Sequence, residues 1–196
     1  MTAELIALYT EIAETTLPDD VCWIVVQPLT GTLTVEDAAT RLGGRPGDLR
    51  RMRTLDAAEQ ALYGDTALSL DQVANCVAIL QIGGYVGLLP ELMEPLSAGA
   101  RVWVVNWDVN ADFTMLLWAD GEVIGGWSPY EPREGWATGL GPMAPYADLF
   151  LAYDLDDDDQ HARYHHAVCL AVIESESGVR LDRDWIHQEH FTLLGL

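Results

Sequence analysis

The chain has 196 residues, of which 31 are acidic and ten basic, for a formal charge of -21 at neutral pH. A field this negative repels nucleic acid and anionic membrane, so neither is expected as a partner, and it favours salt-sensitive association with basic surfaces. With 49% hydrophobic and 21% charged residues the composition is that of a folded chain, long enough for one well-buried core and too short for two full domains.

A single α+β domain over 1–196 is expected, with N-terminal helices and a first strand in 1–72, an antiparallel sheet in 73–129, and an irregular strap with C-terminal helices in 130–196. Residues 3–16 place Leu5, Ile6, Leu8, Tyr9 and Ile12 on one stripe with Glu4, Glu11 and Glu14 opposite, and Pro18 follows, which predicts an amphipathic helix. This opening has no basic n-region and is not read as a signal peptide. The apolar runs fall short of the roughly 20 residues a membrane span requires, and a cytoplasmic protein is expected. Residues 21–27 (VCWIVVQ) predict a buried strand that ends at Pro28. Thr34 with Asp37 three residues on predicts a capped helix closing at Gly43 and Gly44, and a second helix is expected over 48–63.

Residues 73–82 predict a strand that turns at Gly83 and Gly84 into a second strand over 85–89, and 91–96 a short helix. Three strands, over 101–109, 113–119 and 122–127, follow as an antiparallel meander, with Asp120 and Gly121 as a type I′ turn signal. Residues 128–146 are rich in proline and glycine without apolar periodicity and predict a long irregular strap. A short helix over 147–153, a long one over 158–176 stopped by Gly178, and a last short one over 184–190 before an apolar tail complete the chain.

Cys22, Cys76 and Cys169 are far apart and set in apolar surroundings, which predicts reduced, buried thiols. The basic residues are all arginine, a bias that high-GC codon usage explains. Five of them, Arg41, Arg45, Arg50, Arg51 and Arg53, fall in one stretch. Arg45, Arg50, Arg51 and Arg53 are expected to form an ion-pair segment against the protein's own acids or an acidic patch on a partner.

Asp154, Asp156 and Asp158 carry the alternation that opens an EF-hand loop, but the sixth position is Asp159 in place of glycine and the twelfth His165 in place of glutamate. His161 and His165 are four apart, yet Ala162 stands where a zincin has glutamate, and packed or solvated histidines are the simpler reading. No nucleophile elbow, phosphate loop or dinucleotide fingerprint is present, and no cofactor is called for. Seven tryptophans suit a large core, with an aromatic cleft as the alternative for those on the meander.

The stretch GGYVGLLPELMEPLSAGARVWVVNWDVNADFTMLLWADGEVIGGWSP, clearest at NWDVNAD over 106–112, resembles an uncharacterised domain-of-unknown-function family of high-GC soil bacteria. The upstream VCWIVVQPLTGTLTVEDAATRLGG resembles that family's opening strand and helix. The resemblance implies a strand-rich α+β domain and brings no activity or catalytic residues.

The leading expectation is an acidic protein-binding module, of immunity or inhibitor type, that occludes the active site of a basic toxin or nuclease. Asp154, Asp156, Asp157, Asp158 and Asp159, with Glu131 and Glu134 of the strap, would supply charge, and Tyr130 and Trp136 aromatic anchors. The alternatives are a small-molecule-binding enzyme or sensor with an aromatic pocket between sheet and strap, and an assembly scaffold subunit.

Overall fold

Six consecutive residues, from Val21 to Val26, are buried, and their side chains alternate between two separate apolar layers. A strand of this kind needs cover on both sides. The computed structural model describes residues 3–62, 66–110, 112–129, 139–151 and 158–196, the side chains of 158–161 excepted. Among them are eight strands, β1 (Val21–Pro28), β2 (Arg50–Arg53), β3 (Ala67–Val73), β4 (Cys76–Ile82), β5 (Ala100–Trp107), β6 (Phe113–Ala119), β7 (Glu122–Trp127) and β8 (Glu189–Leu194). They form one antiparallel sheet in the order β2-β8-β3-β4-β1-β5-β6-β7. The described helices are α1 (Ala3–Thr15), α2 (Val35–Arg41), α3 (Thr54–Ala61), α4 (Pro90–Leu96), α5 (Ala147–Leu151) and α6 (Asp158–Ser177).

On one face Trp23, Val25, Leu80, Trp103, Val105 and Leu117 pack against Tyr9 and Ile12 of α1 and Val168 and Val172 of α6. On the other, Cys22, Ile24, Ile79, Val102 and Val104 meet Ala38 of α2 and Met93 and Leu96 of α4. A 3₁₀ turn, Val86–Leu88, lies so close to this second face that a Cβ on Gly87 would come within 2.5 Å of Val104 Cγ1. The α+β class and the antiparallel meander are as the sequence predicts. The capping box also forms, with Asp37 N donating to Thr34 Oγ1 and Thr34 N to Asp37 Oδ2, each at 3.1 Å. Asp120 and Gly121 both have positive φ, 49° and 86°, and close the β6–β7 hairpin. All three cysteines are free and buried, and burial pushes the Cys22 thiol up to about 12.

Four expectations are corrected. The hairpin of the 67–89 region is β3–β4, turning at Ala74 and Asn75, and not a pair hinged at Gly83 and Gly84. Ala74 has φ 54°, a conformation that alanine does not advertise in sequence. The helix expected over 48–63 is a 3₁₀ turn, then β2, then α3. The apolar tail is β8, held between β2 and β3, strands that lie more than a hundred residues earlier. Part of the expected irregular strap, Gly141–Tyr146, is a 3₁₀ helix that buries Met143.

The helical layer on the first face is tied to the C-terminal segment by one polar knot. Tyr9 Oη donates to Glu174 Oε2 at 2.7 Å and accepts from Leu181 N at 3.3 Å, while Arg180 donates to Glu174 from Nε at 3.0 Å and Nη2 at 2.6 Å. Burial raises the Glu174 pKa, but the bonds from Arg180 and Tyr9 outweigh it and leave the carboxyl below its ordinary value. A carboxylate depressed in the fold stabilises above its unfolded pKa and stops doing so as pH falls through its folded one. Tyr9→Phe should cost about 1–3 kcal/mol in urea denaturation at pH 7, because it strips partners from a half-buried carboxylate and a buried N–H. The same titration series should show a smaller loss of stability below pH 4.5 in the variant than in the parent, since part of the depression of Glu174 goes with the hydroxyl.

Candidate functional site

The β5–β6 connection is built by its own side chains. Asp108 Oδ1 accepts from the backbone N–H groups of Asn110 (2.8 Å) and Asp112 (3.1 Å), which folds the loop back on itself. Trp107 Nε1 donates to Pro18 O at 3.2 Å and so fixes the α1–β1 connection against the end of β5. Asn106 faces the other way: its amide donates to Gly84 O (3.2 Å) and accepts from Trp107 N (3.3 Å). The sequence NWDVNAD is thus a device for closing one end of the sheet.

Beside it lies a cleft of about 310 Å3, lined by Glu14, Leu17, Pro18 and Asp19 from the end of α1 onward, by Trp107, Asp108 and Phe113, by Pro129, and by Arg163, His165 and His166 of α6. Its floor is aromatic. The His166 ring stacks on Trp107, centroids 4.2 Å apart at 17°, and on Phe113 at 5.2 Å and 18°. His165 is 1% exposed and meets Trp127 edge-on at 4.7 Å. Trp107 and Phe113 are themselves nearly covered, so the ring that meets the cavity is chiefly His166.

The rim is acidic. Glu14, Asp19 and Asp108 line the cleft, and Asp20 stands close enough to Asp108 to feel its charge. Burial, then Asp108, raises the Asp20 pKa, against a backbone N–H from Gly84 that lowers it. Arg163 is the cation lining the cleft, 3.8 Å from Glu14. Burial, then His165 and Arg163, push the His166 imidazole down to about 3, so it is a neutral ring at physiological pH, able both to donate and to accept. Among the described residues no group of three or more His, Cys, Asp or Glu side chains is placed to hold a metal ion. No described helix is long and apolar enough to cross a membrane.

Of the residues singled out from sequence, Tyr130, Glu131, Glu134, Trp136, Asp154, Asp156 and Asp157 lie outside the described residues. Asp158 and Asp159 open α6, with side chains outside them as well. The arginine segment sits at the far edge of the sheet. Arg53 binds Asp56 with two bonds of 2.9 Å; Arg51 lies 4.3 Å over Phe191 and donates to Glu189 O; Arg45 and Arg50 are exposed and make no ion pair with described residues. Arginines on a short edge strand also discourage edge-to-edge pairing. Arg183 and Arg163 instead join the C-terminal half to Glu11 and Glu14 of α1, at 2.6 and 3.8 Å. His190, far from the histidines of α6, is buried beneath Trp185 at 3.7 Å and donates through Nε2 to Trp185 O at 2.7 Å.

The cleft joins three segments distant in sequence. The signals were in view separately, as the NWDVNAD stretch and as the His165–His166 pair, but nothing local says that they meet. Because His166 titrates near 3 in the fold and near 6.5 when unfolded, the unfolded chain binds the extra proton, and this group lowers stability as pH falls from about 6.5 to about 3. His166→Phe keeps the stack and removes the titration. Its thermal midpoint should therefore fall less steeply than the parent's between pH 6.5 and 4, and in the parent the His166 ring carbons should keep neutral NMR shifts down to pH 4.

Searches of curated proteins and of solved structures return no match to this chain. A family match runs from Thr34, the cap of α2, to Gly195, just beyond β8, and so takes in every strand except β1. The residues bounding the cleft on the β5–β6 and α6 sides fall within it, and those of α1 do not. On this match the chain belongs to the Family of unknown function (DUF6461), over residues 34–195.

Proposed function

We propose that the protein is an acidic binding module that docks a basic protein and blocks a functional groove on it, in the manner of an immunity protein or inhibitor. The observation that carries this reading is the cleft at the end of the sheet, where Glu14, Asp19 and Asp108 rim a neutral imidazole held on two aromatic rings. Carboxylates of one sign around an apolar floor suit an arginine or lysine side chain: the stem lies on the rings and the head meets the acids. Asp20 and Asp108 already repel one another, and an arriving cation relieves that repulsion. The net charge of -21 adds long-range steering toward a basic partner.

The contacts expected from sequence adjoin this cleft along the chain. Pro129, which lines it, precedes Tyr130, and Ala162 and Arg163 on its wall follow the aspartate run by a few residues. Tyr130, Glu131, Glu134 and Trp136 and the carboxylates from Asp154 to Asp159 extend the proposed contact surface. The role asks for no chemistry of the protein itself; occlusion suffices.

The test is retention of basic proteins from the native cell extract on the immobilised chain at low salt, followed by elution with rising salt. The Asp19→Asn, Asp108→Asn double variant keeps the acceptor that folds the β5–β6 loop and should lower affinity for the captured protein about tenfold. Glu94→Gln, on α4 across the sheet, should leave it unchanged. Failure to retain any basic protein at low salt would rule out the inhibitor reading. An equal loss in both variants would show a field effect and no docking at the cleft.

A further inference from the structure

A second cleft, of about 560 Å3, opens on the opposite face of the same sheet end. Leu42, Val86, Leu89, Leu92 and Leu196 give it apolar walls, and Tyr85, 62% exposed, stands beside them. This volume is in the range of small-molecule sites, which are mostly apolar with a few fixed polar groups.

The polar group here is Gln81. Its side chain faces this cleft from the end of β4 and is 8% exposed. Its Oε1 accepts from Val86 N at 2.9 Å, which fixes the amide plane and leaves Nε2 as the donor end. Nε2 has no acceptor among the described residues. Gly84 makes room for it, since a Cβ there would come within 2.1 Å of Nε2. A nearly buried amide donor without an acceptor, fixed in place at an apolar wall, is costly unless a ligand or water completes it. Glu91 lines the same cleft and, with the overall charge, disfavours an anion.

We propose that this cleft binds a neutral, largely apolar small molecule through a carbonyl oxygen that accepts from Gln81 Nε2. The site is separate from the acidic cleft and from any basic partner there.

The test uses the full chain labelled with 15N and two probes of matched shape, 2-acetonaphthone and 2-ethylnaphthalene, the second lacking the carbonyl. The ketone should shift the Gln81 side-chain amide and the backbone amides of Gly84, Val86 and Leu92. It should bind about tenfold more tightly than the hydrocarbon, the difference one net hydrogen bond makes. Gln81→Glu keeps the acceptor for Val86 N but lacks the donor, and should erase that difference. Leu92→Trp fills the cleft and should abolish binding of both probes; it serves as an independent check if Gln81→Glu does not fold. Equal affinities for the two probes in the parent would overturn the proposal. So would shifts that map to Trp107 and His166, or no shift up to the solubility limit of the ketone.

Discussion

Burial of β1 on both faces governs the architecture. Val21 to Val26 send Trp23 and Val25 into one apolar layer and Cys22, Ile24 and Val26 into the other, while the backbone pairs with β4 on one side and β5 on the other. Fully burying a large apolar side chain is worth about 1.5–3 kcal/mol, so leaving either face open would forfeit several such contributions. The helices α1 and α6 cover one layer and α2 and α4 the other. The polar knot of Tyr9, Glu174 and Arg180 then serves to hold a cover in place.

That arrangement also decides where ligands can approach. The faces are clad, and the outer strands are blunted, β2 by arginines and β7 by a backbone bond from Gly126 to Gly139 O. Two clefts remain at the end of the sheet where β1 begins and β4 and β5 finish, one on each face. They share a boundary. Asn106 donates to Gly84 O, Gly83 N donates to Asp20 O, and Trp107 donates to Pro18 O, so the residues between the clefts are held by backbone acceptors from both sides. The acidic cleft and the apolar one differ because alternate residues of β4 and β5 point to opposite faces.

Charge is distributed with a purpose that a total cannot show. Arg180 and Arg183 brace α1 and α6 against the C-terminal segment, whereas Arg50, Arg51 and Arg53 mark an edge strand. The unmatched carboxylates nearest an aromatic floor are those around Trp107 and His166, and they give the negative field a local address.

Local chemistry was enough for much of this. The stripe of α1, the β-branched run of β1, the box of Thr34 and Asp37, the Asp120–Gly121 hairpin and the stop at Gly178 each depend on residues within a few positions of one another, and the sequence states them directly. The α+β class and the negative field follow from the same information. Elements whose identity comes from distant pairing were not legible: β8 is a strand because β2 and β3 flank it, β2 because β8 does, and β3 turns through an alanine with positive φ. The cleft belongs to this second kind. His165 and His166 read as one more histidine pair, and Asp108 as one more acid, until packing lays α6 across the end of β5 and β6 and desolvation makes His166 neutral. The sequence determined which groups are available; tertiary burial decided which of them face one another and in what charge state, because desolvation acts only once the chain has closed around them.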